Sequence, residues 1–134
     1  MRRIDSAAAA WLDGRMKRPS DLLAALAALM GAGGVALAAA STHAGGGDLG
    51  RTAAEFLILH AAALMGVTAA ARTHRPRRLL LAGAGLAVGT LLFAADLAMR
   101  GFAGTRLFPF AAPIGGSLMI LSWAALALVY VLPE

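Results

Sequence analysis

Residues Leu79–Met99 read LLLAGAGLAVGTLLFAADLAM, an apolar run holding one ionisable group, Asp96, and bracketed by Arg77, Arg78 and Arg100. At about 1.5 Å per helical residue such a run crosses the roughly 30 Å of hydrocarbon in a bilayer. Three further stretches of the same kind, Leu22–Ser41, Thr52–Ala71 and Ile114–Leu132, take up most of the remaining chain. Lipid offers no hydrogen-bond partners to an open backbone, so spans of this length are helices. The expected fold class is an all-α membrane protein: a four-helix transmembrane bundle over 21–134, preceded by a basic segment over 1–20. Composition points the same way. Of 134 residues, 60% are hydrophobic and 14% charged, with a mean hydropathy of +0.74, well away from the near-half and one-quarter of soluble domains. The absence of cysteine excludes disulfides, thiolate metal sites and Cys nucleophiles.

The net charge of +5 and pI near 11.4 would suggest nucleic acid in a soluble protein. Here the distribution decides otherwise. Arg2, Arg3, Arg15, Lys17 and Arg18 precede the first span, and Arg72, Arg75, Arg77 and Arg78 separate the second from the third; the other two links hold only Arg51, Arg100 and Arg106. The positive-inside rule then puts both termini in the cytoplasm, and the basic residues serve orientation and attraction to anionic lipid rather than DNA or RNA. Ala38-Ala39-Ala40 imitates a signal-peptide cleavage site, but the expectation is that the first span is retained. Upstream, Ile4, Ala8, Trp11 and Leu12 share one face and Asp5 and Asp13 the other, which predicts a short interfacial helix, with a disordered or partner-docked tail as the alternative.

Small residues supply the packing faces. In the first span Ala24, Ala27, Gly31, Gly34, Ala38 and Ser41 form one stripe; in the third, Gly85 and Gly89 share a face with Asp96; in the fourth, Gly115, Met119 and Ser122 align behind Pro113 in the first turn, beside Gly116. Such stripes let backbones approach closely where lipid removes the hydrophobic drive to associate.

Few polar groups remain inside, and intramembrane ionisable residues are functional candidates by default. Glu55 and Asp96 lie about four residues from one boundary, roughly 6 Å deep, where a carboxylate snorkels or pairs with Arg51, Arg100 or Arg106. His60 lies close to the midplane, roughly 13 Å in; its bland reading is a neutral imidazole bonded to a neighbouring helix, and its sharper ones are proton carriage or haem ligation. His43 sits beyond the outer end of span one, and a bent Gly45–Gly47 link could bring it to His60. Glu55 and His60, five residues apart, leave the helix on different faces and make no dyad. No HExxH, phosphate loop or serine with a base is present, so no catalytic residue, metal or cofactor is assigned and no enzyme is expected.

Four segments resemble a known family. Gly33–Ala44 is similar to its stretch ending in an Ala-His-Gly type motif, and Glu55–Leu64 to its aromatic-rich stretch leading to His-Ala-Leu-Ala-Leu. Gly89-Thr90-Leu91-Leu92-Phe93 and Ala112-Pro113-Ile114-Gly115-Gly116, followed by Ser122-Trp123, resemble its Gly-x-Leu-Leu-Phe, Thr-Pro-Ile-Gly-Gly and Gly-Trp elements. The family is the domain of unknown function 423, small four-span bacterial inner-membrane proteins with mitochondrial relatives. Departures are Ala44 for the glycine after the first histidine, Ala94–Ala98 in place of Ser-Gly-Ser-Leu-Tyr, and the extra N-terminal residues. Asp96 therefore inherits no family role. The resemblance implies fold and a bacterial inner-membrane, multi-pass placement, and supplies no mechanism. Three functional readings follow: an accessory or assembly subunit packed against other membrane subunits of a larger, respiratory or energy-transducing complex; an oligomeric proton-coupled small-molecule transporter using His60 and Asp96; and a b-haem or quinone protein using His43 or His60.

Overall fold

The computed structural model describes residues 18–133; the expected interfacial helix, with Arg15 and Lys17, lies outside them. The described residues form α1 (Pro19–His43), α2 (Gly47–Ala70), α3 (Pro76–Ala103) and α4 (Ala111–Val131). Each is long and apolar enough to cross a membrane, and the chain is a multi-pass membrane protein.

The helices outrun the apolar stretches that announce them. Span two begins at Gly47 rather than Thr52, and span three runs Pro76–Ala103 rather than Leu79–Met99. Polarity marks where hydrocarbon would end, whereas a helix ends where its backbone loses helical geometry. Pro19 and Pro76 sit in the first turns of α1 and α3, where the missing N–H has no helical partner to lose. Asp48 lies in the first turn of α2, where its charge suits the positive end of the helix dipole. Gly104, at φ +67, terminates α3 in the left-handed conformation that glycine adopts without a Cβ clash. The third link therefore runs to Phe110, itself left-handed at φ +68, and Pro113 is the third residue of α4 rather than its opener.

Neighbours in sequence are neighbours in space: α1 packs on α2, α2 on α3 and α3 on α4, with a lesser contact between α1 and α3. Neither α1 nor α2 brings its backbone close to α4. The bundle is thus open, with α2 and α3 central and α1 and α4 flanking. Burial follows from this order, at 44% and 50% of the span residues in α2 and α3 against 22% and 28% in α1 and α4. Leu64, Leu79 and Leu86 are fully buried in the main core with Ala27, Met30 and Ala61. Ala53, Ala94, Leu97 and Ala112 form a smaller cluster towards the Asp96 end.

The small-residue stripes face inward. A Cβ on Gly34 would stand 2.7 Å from Ile58 Cγ1 and 3.1 Å from the Ala54 carbonyl oxygen, so α1 and α2 nearly touch there. The α3–α4 seam is tighter still: a Cβ on Gly115 would meet Phe93 N at 2.6 Å and Gly89 O at 2.7 Å. Gly85 faces Ser122, with Oγ 2.6 Å from its would-be Cβ. Gly31 and Gly116 are less constrained, since a Cβ on either makes only ordinary contacts, with Ala61 at 3.6 Å and Phe93 at 3.9 Å. Close backbone approach of this kind supplies dispersion contacts in place of the hydrophobic effect.

Candidate functional site

Hydroxyls inside the helices are used locally. Ser41 donates to the Leu37 carbonyl at 2.7 Å, Thr68 to Met65 at 2.9 Å and Thr90 to Leu86 at 2.7 Å, the back-bonding pattern that spends a polar group within its own helix. Among the described residues, no buried side-chain nitrogen or oxygen lacks a partner. The sequence candidates for ligand or partner chemistry are Glu55, His60, Asp96, His43 and the basic link.

His60, half-buried near the middle of α2, has both ring nitrogens engaged. Nδ1 lies 2.8 Å from the Phe56 carbonyl oxygen, and the Trp123 indole N–H donates to Nε2 over a long 3.4 Å. With the indole N–H donating to Nε2, Nδ1 is the nitrogen that donates, to the Phe56 carbonyl. The ring stacks on Phe56, with centroids 5.6 Å apart, and Phe56 in turn meets Phe93 at 4.7 Å. Trp123 reaches across from α4, whose backbone stays clear of α2. A side-chain bridge thus joins two helices whose backbones stay apart. Phe56 is one turn from His60 and on its face, a signal open to sequence reading; Trp123 comes from a helix distant in the chain and carried none.

Asp96 is 2% exposed. Its Oδ1 accepts the backbone N–H of Leu107 at 2.9 Å, and its Oδ2 lies 3.8 Å from Arg100 Nη1. The expected pairing with an arginine is therefore the looser of its two contacts. The stronger one tethers the link into α4: a carboxylate accepting a backbone N–H makes a charge-assisted bond, and it holds the chain just before the left-handed Phe110. The same end is closed by backbone contact, since a Cβ on Gly101 would come within 2.5 Å of the Gly46 carbonyl oxygen.

Glu55 is different. It lies eight residues, about 12 Å, along α2 from Gly47, and about 6 Å from the apolar boundary at Thr52. It is exposed, and among the described residues it pairs with none of Arg51, Arg100 or Arg106. Of its two expected fates, snorkelling or an ion pair, the pair is not formed among the described residues, because Ala53, Ala54, Ala61 and Leu64 occupy the inward face of α2 and turn Glu55 outward. His43 ends α1 and is exposed. The tight link starts α2 beside it, so His60 lies thirteen residues, about 20 Å, down the antiparallel neighbour; the two histidines do not share a site. Among the described residues, no three of His, Asp or Glu are grouped to hold a metal ion.

At the opposite end of the bundle, Arg72 pairs with Asp21 at 2.9 Å, joining the second link to the start of α1. Arg75 donates from Nη1 to the carbonyls of Val129 and Leu132, the latter at 2.6 Å. α4 has no basic residue in its own last turn, so a guanidinium from another link satisfies its terminal carbonyls and its dipole. Arg18, Arg77 and Arg78 are exposed.

Residues 30–116 match the family described as Protein of unknown function (DUF423). That match takes in the Gly34 contact, Glu55, His60, Asp96 and the Gly89–Gly115 seam. No solved structure matches the chain.

Proposed function

The chain belongs to the DUF423 family, and from that premise we propose that it is a non-catalytic accessory or assembly subunit of a larger membrane complex. The complex is of the respiratory or other energy-transducing kind, in a bacterial inner membrane, and both termini of the subunit lie in the cytoplasm. The orientation is supported by the arginines of the second link and the basic segment before α1. The observation that carries the reading is Glu55, an exposed carboxylate within a helix apolar enough to span a membrane, with no ion pair or hydrogen bond among the described residues. Intramembrane carboxylates almost always face a bundle interior or a water-filled cavity, because facing lipid costs several kcal/mol. A face that presents one outward is completed by a neighbouring polypeptide bearing a cation or a hydrogen-bond donor.

The open architecture supports the same reading. Along α1 the residues turned away from the bundle include Ala25, Ala28, Ala32, Gly33, Ala36 and Ala39, and no side chain or backbone stands over Gly33. The transporter reading, and the haem reading as it uses His60, draw less support, since Nδ1 of that ring is held by the Phe56 carbonyl and Nε2 faces the Trp123 indole. The test is isolation in mild detergent from the native membrane. The wild-type chain is expected with stoichiometric larger subunits and Glu55→Leu without them; a lone chain, with the membrane complexes unchanged by deletion of its gene, overturns the proposal.

A further inference from the structure

At the end of the bundle that carries the second link, three adjoining recesses combine cations with an aliphatic slot. One, of about 310 Å³, is lined by Arg75, Pro76, Arg77 and Arg78. A second, of about 460 Å³, starts from Arg78 and runs down α4 past Ala125, Leu128 and Leu132. The third, of about 270 Å³, shares Arg75 with the first and Val129 with the second, and adds His74 and Tyr130. The mouth is therefore cationic and the floor hydrocarbon.

The local backbone favours an anion at that mouth. α3 opens with Pro76, and its first turn holds Arg77 and Arg78 and no acidic residue, the wrong sign for the positive end of a helix dipole. Leu79 N–H is bonded to the Arg75 carbonyl at 3.2 Å, whereas the Arg75 side chain gives no cap. It is committed instead to the α4 carbonyls, which fixes the wall between cation and slot. An anion seated here would offset the dipole and two guanidinium groups at once. A free phosphate would leave the slot beside Leu128 and Leu132 unfilled. An amphiphile fills both.

We propose that this cleft binds an anionic phospholipid, its phosphate held by Arg77 and Arg78 and one acyl chain laid along Ala125, Leu128 and Leu132. Charge complementarity selects the class: basic pockets between spanning helices are the recognised seat of acidic headgroups. The site goes beyond the subunit reading and does not depend on it, since every residue involved belongs to this chain; it shares with that reading only the orientation of the basic end.

The test is native mass spectrometry of the detergent-purified full chain with phosphatidylglycerol or phosphatidylcholine added in equal amount. Phosphatidylglycerol adducts are expected to dominate. The preference should fall roughly fivefold for Arg78→Gln and about thirtyfold for Arg77→Gln with Arg78→Gln. Ala125→Trp, which fills the slot and leaves both arginines, should lower it too, and Arg72→Gln, outside the recesses, should not. Inorganic phosphate at the same concentration should not compete. Equal retention of the two lipids, equal loss with Arg72→Gln, or full competition by phosphate overturns the proposal. If the double variant does not fold, Arg78→Gln and Ala125→Trp decide it alone.

Discussion

Two carboxylates inside the helices of one small chain meet opposite fates. Asp96 is buried and tied to the chain that leads into α4, while Glu55 is turned outward and tied to nothing among the described residues. The difference teaches that an intramembrane charge is read from the face it occupies and not from its depth. Asp96 lies on the α3 face where Gly89 and Gly115 bring two helices together, so packing has closed around it and it serves the fold. Glu55 lies opposite the alanines that hold α2 to its neighbours, so packing has left it available.

The comparison breaks first if the seam is not what seats Asp96. Gly115→Leu has the largest expected effect: its side chain would meet the backbone of Gly89 and Phe93, which cannot yield as a flexible side chain does. A loss of about 3 kcal/mol, or failure to fold, is expected in chemical unfolding of the detergent-solubilised chain. Next is Asp96→Ala, which leaves the Leu107 N–H without its acceptor and should cost about 2 kcal/mol; protease cleavage within 104–110 should rise with it. Asp96→Asn keeps an acceptor for the Leu107 N–H but gives up the charge on that bond and the loose, partly exposed contact with Arg100, so a smaller loss of about 1 kcal/mol is expected.

How far these contrasts could be read from sequence follows from the same residues. The four spans were legible, because an apolar run of bilayer length has few other uses. Their ends were not: Gly47–Arg51 and Pro76–Arg78 are polar or helix-breaking by type yet helical in place, since a first turn tolerates proline and favours an acidic side chain. The Gly85–Gly89–Asp96 stripe announced an inward Asp96, but its partner is a backbone N–H in a link whose path no periodicity describes. Glu55 could not be assigned outward until Ala53, Ala54 and Ala61 were known to face the core. His60 lies near the middle of α2, and its bond to Trp123 depends on a helix that α2 does not touch by backbone.

That bond gives a smaller effect. His60→Phe keeps the stack on Phe56, removes both hydrogen bonds and leaves the Trp123 N–H unpaired; a loss of about 1 kcal/mol is expected in the same unfolding measurement. Smallest of all, Glu55→Leu should leave the isolated chain within about 0.5 kcal/mol of wild type, because nothing in the described chain depends on the carboxylate. A loss as large as that for Asp96→Ala would erase the contrast between the two acids.

The central claim is that another polypeptide completes the Glu55 face, and a photo-crosslinking residue in place of Leu59, exposed one turn away, tests it most directly in intact membranes. The account predicts one dominant adduct with a different and larger membrane protein, lost when Glu55→Leu is introduced beside the crosslinker. Adducts with lipid alone, or only with a second copy of this chain, would contradict it.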